Sequence, residues 1–220
     1  MKLLLLLCGP AVMILIGLQG VGSVPVTFVL FYSWLLLVPL VDMLLRKEKK
    51  LSQAMRDCGL VFRRKNMYSG MSTGIFFFLA ILLGGYFFHS HVFHREKLQS
   101  LLIEWNFSGD HLIWLILILL SVNPFLEELY WRGYIFHRLA NTYKQHTAIF
   151  FTASFYTLYH FLSVIPLFAW PYNVFMVVPV FVAGLIWGYM RARSDAVAGG
   201  IVSHILADGG IMAVYLLFLS

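Results

Sequence analysis

Charge is scarce in this chain of 220 residues: Asp, Glu, Lys and Arg make up 12% of it, about half the roughly 25% of a soluble domain. That shortage excludes a soluble enzyme and a disordered chain, which needs charge and few aromatics. Cysteine is scarcer still, with Cys8 in an apolar run and Cys58 in a basic stretch. The two are expected at different bilayer depths, so a disulfide-stapled secreted domain is excluded as well. What is abundant is apolar: 60% of residues are hydrophobic, 17% aromatic, and the mean hydropathy is +0.82. The apolar runs are continuous rather than alternating with period two, which argues against barrel strands. In lipid a helix satisfies its backbone hydrogen bonds within one segment, so the expected fold is an all-α, polytopic transmembrane bundle.

About seven spans can be placed. They run from Leu3 to about Val21, Val24 to Leu45, about Ser72 to Phe88, His111 to about Leu139, Thr147 to Ile165, Tyr172 to Met190, and Ala196 to Leu219. The first is read as a retained span rather than a signal peptide, because no small-residue cleavage site follows cleanly and the next span begins at once. Asn123-Pro124 falls inside the fourth run, where a proline removes a backbone bond and predicts a break or bend. Gly184 and Gly188 form a small-xxx-small pair suited to close helix packing. No internal repeat is evident, and residues 1–220 read as one membrane domain.

The formal net charge of +6 could suggest nucleic acid, but Arg46, Lys47, Lys49, Lys50, Arg56, Arg63, Arg64 and Lys65 cluster between two spans. Such excess marks a cytoplasmic loop at anionic headgroups, so the expected partner is the lipid bilayer and not nucleic acid. With the amino terminus inside, the cytoplasmic side would hold every Lys and Arg except Arg95 and Lys97. The chain is therefore read as a multi-pass protein of an inner or plasma membrane with a cytoplasmic amino terminus. His89, His91 and His94 invite a metal site, but no carboxylate or Cys completes a ligand set, and an exposed interhelical loop is the expected structure. Asn106-Phe107-Ser108 is a glycosylation sequon of a kind common by chance.

Ionisable residues in apolar context are costly and commonly functional; here they are Glu127, Glu128, Arg132, His160, His204 and Asp208. Glu128 and Arg132 are four apart, so they share a helical face and can neutralise each other. Glu127 points about 100° away and is left as a carboxylate able to act as a base toward water. His204 and Asp208 are also four apart and project into the same space, while Tyr156 lies one turn before His160. Three further readings compete: a proton-coupled transporter, which would place the same residue types in a bundle; a catalytically silent scaffold; and a zinc site built from two His and two carboxylates. No HExxH is present.

Glu127-Glu128-Leu129-Tyr130-Trp131-Arg132, Tyr156-Thr157-Leu158-Tyr159-His160 and His204-Ile205-Leu206-Ala207-Asp208 match EExxxR, FxxxH and HxxxN/D in order and spacing. Through them, residues 111–220 resemble the CPBP intramembrane proteases, which include CAAX prenyl endopeptidases and bacteriocin-processing (Abi-like) and immunity proteins. Tyr156 replaces the usual Phe, and Asp208 stands where the prenyl endopeptidases have Asn. The resemblance implies an intramembrane endopeptidase that cleaves a membrane-anchored protein or peptide, as in CAAX-type or C-terminal sorting-signal processing. Glu127 and His160 would activate a water. His204 and Asp208 would bind or stabilise the tetrahedral intermediate, and Glu128 with Arg132 would hold the helix. A metal-free glutamate mechanism without cofactor is expected, zinc being the alternative, and Glu127, His160 and His204 should converge on one wet cavity.

Overall fold

The computed structural model describes residues 2–92, 95–105, 107 and 109–220, the side chains of His91 and Asp110 excepted. Among the described residues there is no strand, and seven helices are long and apolar enough to cross a membrane. In chain order they are α1 (Leu3–Gly20), α2 (Val24–Arg46), α4 (Arg64–Val92), α6 (Leu112–Ala140), α7 (Gln145–Val164), α8 (Tyr172–Ser194) and α9 (Ala198–Leu219). Two short helices join them, α3 (Leu51–Asp57) and α5 (Arg95–Glu104). Phe76, Leu83, Phe87 and Leu217 are more than half exposed, as lipid-facing side chains of a bundle should be.

The amino-terminal pair folds as a tight hairpin. Ser23 caps α2 by accepting the Val26 N–H at 3.4 Å, which satisfies an otherwise orphaned donor. A Cβ on Gly17 would come within 2.5 Å of Thr27 Cα, so only glycine lets the two backbones meet this closely. α4 and α9 run parallel in contact over most of their length, with Gly70 against Gly199, Gly74 against Ser203, Phe78 against Gly210 and Gly85 against Val214. α8 packs antiparallel on α7, Gly184 against Ala153 and Gly188 against Ile149, the close packing expected of that glycine pair.

Two expectations need correction. The third span begins at Arg64, not near Ser72, because Asn66 is a structural residue of α4: its Oδ1 accepts the Gly199 N–H at 2.6 Å at the open start of α9. The stretch after the third span is not all loop, since α5 continues as a helix. Its residues 95–104 contain neither Gly nor Pro, and Leu102 is buried. His94, Asn106 and Ser108 lie outside the described residues, as does the side chain of His91. Near Pro124 the α-helical register of α6 is interrupted: Ile118–Val122 widens to an i to i+5 register, in which the Asn123 N–H reaches Ile118 O, and the wider turn accommodates the donor that proline lacks.

After a short α-helical stretch at Asn123–Glu128, the same widening recurs over Leu129–Ile135. Tyr130, Trp131, Arg132, Tyr134, Ile135 and Phe136 are all buried, so the second half of α6 runs through the core of the bundle. On the side of the basic loop, buried Asp42 of α2 accepts from Tyr134 Oη and Arg138 Nη1, both at 2.8 Å. Arg191 of α8 donates to Arg132 O and Asp57 O at 3.0 Å each. Gly59, at φ +75°, leaves no room for a Cβ beside that guanidinium, and its carbonyl accepts Val197 N–H at 3.0 Å. These bonds pin the basic loop to the end of the bundle.

Candidate active site

Glu127 and Glu128 stand on the α-helical stretch between the two widened segments of α6. Their side chains diverge by the roughly 100° of successive helical residues, and His204 from α9 fills the angle between them. Its Nδ1 lies 3.4 Å from Glu128 Oε1, and its Nε2 lies 3.8 Å from Glu127 Oε2 and 3.7 Å from Asp208 Oδ2. One imidazole thus meets carboxyl groups on three sides. Its ring is stacked on Trp187, centroids 4.4 Å apart, and Tyr156 Oη is 3.4 Å from Nε2.

Glu128 pairs with Arg132 at 2.8 Å, both under 2% exposed. The guanidinium also lies 4.3 Å from the Tyr156 ring centroid and 5.2 Å from that of Trp187, so π faces help compensate its lost hydration. Arg132 is therefore inside the bundle and not among the cytoplasmic cations with which it was grouped above. A Cβ on Gly200 would lie 2.8 Å from Glu128 Oε2; glycine there is what lets the carboxylate sit against α9.

His160 takes a different place. Its ring packs between those of Tyr156 and Tyr159, each 4.4 Å away, and its Nδ1 is 2.9 Å from Tyr156 O. A carbonyl can only accept, so Nδ1 carries a hydrogen, and in the neutral ring Nε2 keeps a lone pair. Among the described residues, Glu127 Oε2, Glu128 Oε2, Tyr159 Oη, Arg132 Nη2 and His204 Nδ1 are buried without a hydrogen-bond partner. Buried polar groups are nearly always paired, and a cluster of exceptions in one place marks a locus built for something more than packing.

Glu127 is 2% exposed, and two surface hollows lie away from it, about 510 Å³ beside Ile149, Phe150 and Leu185 and about 410 Å³ beside Leu112 and Ile113. The rings of Tyr156 and Trp187 pack against His204 and Arg132, and Asp208 is the more open edge of the cluster with 15% of its side chain exposed. Among the described residues no group of three His, Cys, Asp or Glu side chains is arranged to hold a metal ion.

Sequence reasoning passed over Tyr32, Asn123, Tyr159 and Trp187. Asn123 had a signal, since it is four residues before Glu127 and so shares its face, but it was read only as a helix breaker beside Pro124. Tyr32 and Trp187 are aromatic residues in apolar runs and carry no such signal.

A family model described as type II CAAX prenyl endopeptidase Rce1-like matches residues 109–210. These residues are similar to an Rce1-like domain. The matched segment contains Glu127, Glu128, Arg132, His160, His204 and Asp208, and it supports a CPBP family intramembrane protease. No curated protein and no solved structure matches the chain. Seven apolar helices together with this match make the chain an integral, multi-pass membrane protein, and the match supports an endopeptidase.

Proposed function

We propose that the chain hydrolyses a peptide bond of a membrane-anchored protein or peptide, using Glu127 as general base. The observation that supports this reading most is the buried carboxyl oxygen Glu127 Oε2, left without a hydrogen-bond partner in a locus where Glu127 and Glu128 of α6 meet His204 and Asp208 of α9. The lone pair on His160 Nε2 holds the hydrolytic water by accepting one of its hydrogens. Glu127 takes the other proton as the water oxygen attacks the carbonyl carbon, forming the tetrahedral intermediate and its oxyanion. When the C–N bond breaks, the proton on Glu127 goes to the departing amine, so the site ends as it began. His204, with Asp208 at 3.7 Å, supports the intermediate, and Glu128 with Arg132 holds the helix that carries Glu127.

The substrate is of the CAAX or sorting-signal kind, whose anchor holds the scissile segment at the bilayer. Every step uses the chain's own side chains, and activity is expected to survive an excess of chelator; loss on chelation and return with zinc would sink the metal-free scheme. The orientation belongs to the same proposal: amino terminus and basic loop in the cytoplasm, in an inner or plasma membrane. The deciding comparison is of membrane-protein fragments from cells making the wild type and Glu127→Gln. Fragments present only with the wild type would name the substrate and the bond. Glu127→Gln should cut their rate by about 10²–10⁴-fold, the usual worth of general base catalysis, and an unchanged fragment pattern would end the endopeptidase reading.

A further inference from the structure

The polar cluster reaches beyond residues 109–210. Tyr32 of α2 donates its hydroxyl to Asn123 Oδ1 at 3.1 Å, and Asn123 Nδ2 donates to Asp208 Oδ2 at 3.3 Å. Asn123 is buried and lies on the same face of α6 as Glu127. One carboxamide is thus held at both ends, by a phenol from α2 and a carboxyl from α9.

The bond from Asn123 casts the Asp208 oxygen as an acceptor. An acceptor does not stabilise the oxyanion that forms when water attacks a carbonyl; that charge needs a donor. The Asn123 amide has two N–H groups, of which one serves Asp208 and the second remains for a substrate oxygen. Asp208, as the acceptor, requires the NH2 end of the amide to face α9, and Tyr32 on Oδ1 holds the other end in place. We infer that Asn123 is the oxyanion donor of the site, with Asp208 and Tyr32 as the positioning residues that orient it. The inference rests on the endopeptidase reading, and it brings α2, outside the Rce1-like segment, into the active site.

The test exchanges the pair. Asn123→Asp sets two acceptors side by side, and adding Asp208→Asn restores one carboxamide beside one carboxyl with their places reversed. Membranes from cells making each variant are compared for release of the fragments that the wild type yields and Glu127→Gln does not, normalised to folded protein. Asn123→Asp should slow release about 10²-fold, as loss of an oxyanion donor does, and the exchanged pair should recover to within about tenfold of wild type. Tyr32→Phe should slow it about tenfold, the worth of one hydrogen bond. A merely structural contact would change the amount of folded protein and leave the rate per folded molecule alone. Full activity in Asn123→Asp, or an exchanged pair as inactive as that single variant, overturns the inference and leaves the endopeptidase reading standing. Absence of any Glu127-dependent fragment from the wild type overturns both.

Discussion

Glu128 and Arg132 are buried so completely that removing either leaves the other charge in the bundle without its partner. Glu128→Ala and Arg132→Ala should each cost roughly 3–5 kcal/mol of stability, the usual penalty for orphaning half of a buried pair. The double variant should cost clearly less than the two singles together, because it removes both charges. Thermal unfolding in detergent measures all three, and simple additivity would show that the pair is not coupled. The spacing of four made this contact legible in the sequence, since a helix brings such residues together whatever surrounds it. The approach of His204 to both glutamates was not legible, because it depends on how α9 is rotated against α6.

At the scale of elements, α9 depends on α4 for its position. Its first residues have no side-chain cap of their own, and Asn66 supplies the acceptor from outside the helix. Asn66→Ala should therefore destabilise the bundle by about 0.5–2 kcal/mol, as loss of a cap does. Gly199→Val should do more harm, since its Cβ would lie 2.1 Å from Asn66 O. Gly84 is the control: a Cβ there meets nothing within 4 Å, and Gly84→Ala should be neutral or stabilising by up to about 1 kcal/mol. Unfolding midpoints of the three variants rank these effects, and a Gly84→Ala protein weakened as much as Gly199→Val would refute the packing argument. The apolar runs announced that α4 and α9 exist. Which polar residue in the basic stretch would cap α9 was hidden, because Asn66 and Gly199 are 133 residues apart.

Across the whole molecule, the proposed orientation can be read by labelling. Cys58 is buried beside Met43, its thiol 3.6 Å from the Met43 sulfur, and burial pushes that thiol up to about 11. At pH 7.5 the folded chain then holds only about one thiolate in three thousand. Cys58 should stay unlabelled by maleimide until the protein unfolds, with labelling rising only as the pH approaches 11. Against this quiet background, Lys97→Cys should react with a membrane-impermeant maleimide on intact cells, and Lys49→Cys only after the cells are opened. The reverse pattern would invert the topology.

A multi-pass helical protein follows from the sequence by itself, because a bilayer offers the backbone no hydrogen bonds and long continuous apolar runs have one way to satisfy it. The six ionisable residues stood out for the same reason, as did the ion pair and the His204–Asp208 pairing, since i to i+4 spacing is a property of one helix. Tertiary structure alone decided that His204 enters between two adjacent glutamates. It alone decided that Trp187 stacks on His204, and that Tyr32 reaches Asn123 and Asn123 reaches Asp208. Those contacts join residues 91 and 85 positions apart on different helices. They depend on the rotation and depth of each helix, which close packing at glycines such as Gly17, Gly70 and Gly199 sets and which no single helix's periodicity contains.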